Sequence, residues 1–184
     1  MKKFGYSLMV ALLLATAAEA APTVTFDPMA ATIDIGAIID VSIKGLGFDT
    51  AIDGGGLNLK FNPSVLQVNN VVFNTTVWEF DTGYDKLDNS SGNLNDLYFL
   101  SWKSASGEFP IATVNMTAVG KGKSLLELNL SEYNPFASMG EIVPVSMDTA
   151  SVNVNDPNAT VPEPATISLL LAGLGLVGYK KTKK

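Results

Sequence analysis

The sequence predicts an all-β protein whose central part is a β-sandwich of 7–9 short strands. Three observations point there. Apolar residues alternate with polar ones at period two, and clusters of Gly, Pro, Asn and Ser punctuate the chain at short intervals. No stretch between Pro22 and Val154 has the 3.6-residue apolar period of an amphipathic helix. Two sheets that bury such alternating faces against each other make a sandwich.

Ile39–Ile43 is expected to turn Ile39, Val41 and Ile43 to one face, and Leu57–Phe61 to do the same with Leu57, Leu59 and Phe61. Asn62-Pro63 marks the corner that follows. Pro63 fixes φ there and lacks the donor a central strand needs, so Val65 and Leu66 re-enter the core as the strand Leu66–Phe73 begins. Leu97–Trp102 is apolar on both faces, as an inner strand would be. Ala112–Ala118 alternates, Gly120-Lys-Gly122 turns, Leu126–Leu130 points Leu126, Leu128 and Leu130 inward, and Ser151–Val154 closes the set. Further turns are expected at Gly45-Leu-Gly47, Ser91-Gly92 and Ser106-Gly107. Asp53-Gly-Gly-Gly56 leads into a strand, so it reads as a hairpin and not as a phosphate loop opening a helix.

Composition removes whole classes of chemistry. The chain has no cysteine and no histidine, which excludes disulfides, thiol catalysis and the usual zinc, copper and haem ligation. Arginine is also missing. Between Ala21 and Thr160 stand six lysines and sixteen acids, a balance of −10 that repels phosphate backbones, so no nucleic-acid partner is expected. Neither a Gly-x-Ser-x-Gly elbow nor a Ser-x-x-Lys box in a helical setting is present. The chain reads as no enzyme, with no cofactor.

Both ends read as address labels, an N-terminal signal helix and a C-terminal apolar helix flanking the sandwich. Met1-Lys-Lys3 precedes the uncharged run Phe4–Ala18, and Ala18-Glu19-Ala20 places small residues at an A-x-A site. A signal peptide over 1–20 is therefore expected, with signal peptidase leaving Ala21 as the new N-terminus. The sandwich then occupies 21–154 and a polar linker 155–160. At the other end the box Pro162-Glu163-Pro164 runs into an uncharged membrane segment over 165–179, and a basic tail follows with Lys180, Lys181, Lys183 and Lys184. As a helix that segment would span about 22 Å, short of the ~30 Å hydrocarbon core, which suits a segment to be cut better than a permanent anchor. The tail lysines belong on the cytoplasmic side, leaving everything before Val161 across the membrane.

Residues 161–184 resemble the PEP-CTERM sorting signal of Gram-negative bacteria, with box, span and basic tail in order. The resemblance implies processing by exosortase, an inner-membrane intermediate, and delivery to the cell surface or extracellular matrix. A second resemblance lies between the signals. Gly55–Val68, with its Asn62-Pro63 turn and Val65-Leu-Gln-Val68 continuation, is similar to the cohesin signature, as are Ser90-Ser-Gly92 and Pro110–Gly122. It implies a cohesin-like jelly-roll sandwich, related to cellulose-binding modules, over roughly 24–154.

The remaining candidates lie on loops and outer faces. Asp81, Asp85, Asp88 and Asp96 sit in the densest polar stretch and offer the oxygen ligands calcium prefers. Their spacing lacks the D-x-[DN]-x-[DN]-G order, and a solvated loop of turn formers fits them better. Trp78, Tyr84, Tyr98, Trp102 and Tyr133 are the aromatics from which a stacking platform could be built, with Tyr84, Tyr98 and Trp102 as the candidate ligand platform. Sequons at Asn74, Asn89, Asn115, Asn129 and Asn158 read as chance products of a composition rich in Asn, Ser and Thr.

The expected function is that of an exported, non-catalytic surface or matrix protein. It would bind an extracellular polysaccharide or a surface protein through one sandwich face. Two alternatives stay open, a cohesin that binds a dockerin and a carbohydrate-binding module with an exposed aromatic row.

Overall fold

The computed structural model describes residues 21–159 and contains twelve strands and no helix among them. The helices expected over 4–18 and 165–179, the cleavage residues Ala18 and Ala20, and the sorting residues Pro162–Pro164 and Lys180–Lys184 lie outside the described residues. In chain order the strands are β1 (Thr23–Asp27), β2 (Ala30–Asp34), β3 (Ile38–Lys60), β4 (Leu66–Phe73), β5 (Asp81–Gly83) and β6 (Lys86–Asp88). They continue as β7 (Asn93–Ala118), β8 (Gly122–Leu130), β9 (Ala137–Ser138), β10 (Glu141–Ile142), β11 (Ser146–Met147) and β12 (Thr149–Asn155).

Two strands are far longer than expected. β3 and β7, of 23 and 26 residues, pair antiparallel from Ile38↔Thr117 to Lys60↔Asn93, and five register shifts bend the ribbon along its length. One half of the ribbon joins β11, β1 and β4 in a first layer. The other half joins β5, β6, β8, β12 and β2 in a second, with β9 and β10 added beside Gly54 of β3, and hydrogen bonding therefore links all twelve strands into one sheet. The strand number exceeds the expected 7–9 because five of the twelve are edge pieces of two or three residues.

The ribbon corrects three expected turns. Gly45-Leu-Gly47 and Ser106-Gly107 do not reverse the chain; they lie within β3 and β7, at and beside the register shifts where the ribbon passes between layers. Asp53–Gly56 is not a hairpin either. Gly54, Gly55 and Gly56 pair with Leu100, Phe99 and Tyr98 inside β3. A Cβ at Gly55 would stand 2.9 Å from the Phe136 ring, and one at Gly56 2.6 Å from Asn134, so close approach of neighbouring groups, and not a turn, demands glycine there.

The inner faces follow the alternation. Val41, Ile43, Leu57, Leu59, Phe61, Leu66, Val68, Val114, Met116, Leu126, Leu128, Val152 and Val154 are all buried in one core. Leu130, expected inward, is exposed at the end of β8, although Leu128 two residues before it is buried. Asn62 makes the expected corner: its side-chain oxygen accepts from the Ser64 amide and hydroxyl, and its carbonyl from the Val65 and Leu66 amides. Where the ribbon crosses, five rings close a cycle. Phe48 meets Phe109 (4.8 Å) and Phe136 (5.9 Å), and Trp78 meets Phe99 (4.5 Å) and Phe109 (5.4 Å). Phe99 to Phe136 (5.5 Å) completes it. Asn155 ends β12 rather than opening the linker, and Asp156 caps the short turn beyond it through the Asn158 amide.

Two substitutions test this packing. Leu59→Asp places an unpaired charge among buried side chains and is expected to cost more than about 4 kcal/mol, seen as loss of the cooperative melt. Gly55→Val pushes a branched side chain into the Phe136 ring and should cost about 1–3 kcal/mol by chemical denaturation. A wild-type midpoint for either would show that these faces are misassigned.

Candidate functional site

The candidate site is the outer face of the second layer, and strand parity explains why it is open. In β7 the inward residues Leu97, Phe99 and Ser101 are buried, which turns Tyr98, Leu100 and Trp102 outward. β7 is an inner strand here, between β3 and β5, but its outer face is not covered as its apolarity suggested. Trp102 is 76% exposed and Phe80 53%, with ring centroids 4.4 Å apart at 56°. Below them Ser101 is buried and donates to Glu79 Oε2 (2.6 Å), which holds the Glu79 carboxyl below its usual range.

The five aromatics singled out from the sequence part company. Trp78 is core: it is 1% exposed, and its indole N–H donates to the Pro110 carbonyl (2.9 Å). Tyr98 is half-buried and leans over Gly83, where a Cβ would stand 2.5 Å from its hydroxyl. Tyr84 and Tyr133 are exposed. The ring that meets Trp102 is Phe80, which no alternation or motif marks in the sequence.

Beside Tyr133 lies a cleft of about 490 Å³, lined by Asn58, Lys60, Asp85, Asn95 and Asn129. The outward positions of strands whose inward residues are Leu57, Leu59 and Leu128 supply Asn58, Lys60 and Asn129, so parity alone would have found these three. Asp96 forms its floor in a left-handed conformation (φ 51°), receiving the Ser131 hydroxyl (2.5 Å) and the Asn134 amide (2.9 and 3.0 Å). Asp88 caps its own turn: the Ser90 hydroxyl and the Ser91 and Ser90 amides hold its carboxyl at about 2. Asp81 and Asp85 stay exposed on β5 and the turn after it. Among the described residues no three acidic side chains come together as a metal would need, and the carboxylates of Asp88 and Asp96 serve local structure.

The opposite outer face, on the first layer, carries a closed amide network. Asn115 donates to Asp40 and accepts from Asn69, which also donates to Thr117. Asn89 pairs with both backbone groups of Val68, and Asn74 caps its turn. Three of the five sequon asparagines are thus engaged within the fold.

Residues 160–183 match the PEP-CTERM protein-sorting motif. No curated protein matches the sequence. Among solved structures, a cohesin from Clostridium acetobutylicum superposes with a TM-score of 0.62 at 12% identity, covering 77% of this chain and 94% of that one. A non-cellulosomal cohesin from the archaeon Archaeoglobus fulgidus gives 0.60 at 15% identity, with 76% and 94% covered. A type I cohesin from Pseudobacteroides cellulosolvens gives 0.61 at 13%, with 78% and 96% covered. The chain therefore carries a domain with the cohesin fold, followed at 160–183 by a PEP-CTERM protein-sorting motif.

Proposed function

We propose that this chain is an exported, exosortase-processed binding module without catalytic activity, displayed at the cell surface or in the extracellular matrix. It engages a protein partner through the outer face of the second layer. The observation that carries the reading is the exposed Trp102–Phe80 pair, continued along β7 by Leu100. A tryptophan held against a second ring and open to solvent is the kind of side chain that dominates protein interfaces, because it buries a large area with few rotatable bonds. Some of the similar solved cohesins are recorded in complex with dockerins, which supports a protein partner for this fold. The tilt of 56° between the rings suits an interface pocket better than the flat row that a sugar chain stacks on.

A second reading, binding of an extracellular polysaccharide, is favoured by the cleft beside Tyr133. Its amides from Asn58, Asn95 and Asn129 offer donors and acceptors to hydroxyls, and Tyr133 offers one exposed ring. Sorting rests on the C-terminal signal: the box at Pro162–Pro164 and the lysines at 180–184 address the chain to signal-processing enzymes before release.

Capture of extracellular proteins from the producing organism on the immobilised chain tests the first reading. Trp102→Ala should weaken capture of the principal partner by about 30-fold, the effect of losing a ~2 kcal/mol anchor, with an unchanged melting temperature. Retardation in gels containing the organism's own polysaccharide, abolished by Tyr133→Ala and untouched by Trp102→Ala, would replace it with the second. Deleting Lys180–Lys184 should hold the protein at the inner membrane, and unchanged surface delivery would contradict the sorting assignment.

A further inference from the structure

The end of the domain opposite Trp102 carries a second apolar surface that neither reading uses. The turn between β2 and β3 and the turn between β7 and β8 come together there. Gly36 donates to the Ala118 carbonyl (2.8 Å) and Ala118 to the Ala37 carbonyl (2.9 Å). Ile38 at the start of β3 is 64% exposed, and Ile35 and Val119 project beside it, each more than a third exposed. Lys121 and Lys123 stand in and next to the second turn, two of only six lysines in a domain with sixteen acids. Asp34 and Asp156 flank the tip.

The chain leaves the domain beside this tip. Ile35 donates its amide to the carbonyl of Asn155 (3.0 Å), the last residue of β12. Nine residues separate Asn155 from Ala165, where the uncharged segment of the sorting motif begins. Even fully extended, nine residues and their end bonds reach only about 35 Å. While that segment sits in the bilayer, the exit point beside this tip stays within that distance of the surface.

We infer that the tip of Ile35, Ile38, Val119 and Lys121 is a membrane-contact surface, which rests on the bilayer during sorting and orients the domain with its binding face outward. The inference rests on reading the sorting segment as membrane-inserted before processing. Three aliphatic side chains would bind a membrane poorly from solution. Tethering changes that, because a short linker holds the tip at high local concentration beside the surface. The aliphatic groups enter the headgroup boundary, and the two lysines balance Asp34 and Asp156 beside them, so the tip itself carries no net charge for anionic lipid to repel.

The absence of cysteine makes the test direct. Single cysteines at Val119 (V119C) and, at the far end, at exposed Ser106 (S106C) take an environment-sensitive fluorophore in the full chain. The labelled chain is then reconstituted in phosphatidylethanolamine–phosphatidylglycerol vesicles with and without spin-labelled lipid. The V119C probe should be quenched several-fold more strongly than the S106C probe, and adding Ile38→Ser should reduce that quenching. If V119C disturbs the melt, K121C reports on the same tip. Equal, weak quenching at both sites on chain that floats with the vesicles would overturn the inference and leave membrane insertion standing. A tip probe shielded from water but untouched by the lipid quencher would assign the surface to a second copy or another protein, and overturn it too. Chain that fails to float with vesicles would refute the insertion reading, and the inference with it.

Discussion

The structure depends on one pairing, that of β3 with β7, which continues unbroken in direction through both layers. The chain has no cysteine and so no disulfide, and among the described residues no other strand pair runs through both layers; the remaining links are local ones such as Asn89 to Val68. Only two salt bridges occur among the described residues, Lys44 with Asp27 and Lys86 with Asp88, and both are solvent-exposed in part. The ribbon must bend to serve two layers. Its register shifts bend it, the three glycines at 54–56 let neighbouring groups approach at the bend, and the ring cycle of Phe48, Phe109, Trp78, Phe99 and Phe136 fills the space the bend opens. Sheet hydrogen bonds and one aromatic core thus do the work that cross-links do in many exported domains.

The same pairing places the candidate surfaces. Because β7 alternates strictly from Leu97 to Trp102, burying Phe99 in the ring cycle forces Leu100 and Trp102 outward. At the far end of the ribbon, Ile38 and Thr117 close the pairing beside the turn that carries Val119, and β12 ends against Ile35. One end of the domain therefore gathers exposed aromatics, and the other gathers exposed aliphatics at the chain's exit. Between them the second layer's outer face holds the amide-lined cleft. No buried side-chain polar atom lacks a partner among the described residues, so the openness of these surfaces is not a sign of poor packing within.

Much of this was legible in the sequence where the physics is local. Period-two alternation placed Val41, Ile43, Leu57, Leu59 and Phe61 of β3 and Leu126 and Leu128 of β8 on the core, because each strand there has one face inward; Leu130 and the second face of Leu97–Trp102, both expected inside, are open to solvent. The corner at Asn62-Pro63 was legible for the same reason, since Pro and Asn act on their own backbone. What could not be read depended on partners far along the chain. Gly54–Gly56 reads as a turn until Phe136 and Asn134 are known to press on it. Trp78 lies in a segment without alternation, and only the distant Pro110 carbonyl and two phenylalanines explain its burial. Asp88 and Asp96 read as members of a polar loop, but their partners, Ser90 and Ser91 for one and Ser131 and Asn134 for the other, are visible only in the fold. The amide cleft was half visible: Asn58, Lys60 and Asn129 follow from parity, whereas Asp85 and Tyr133 come from loops.

The central claim is that one cysteine-free sandwich, addressed at both ends, works outside the cell that makes it. Intact-mass and terminal-peptide spectrometry of the protein recovered from the producing organism tests this most directly. An extracellular or surface-bound species that begins at Ala21 and has lost the basic tail is expected. Recovery of the unprocessed chain, Met1 to Lys184, from the cytosol would contradict it.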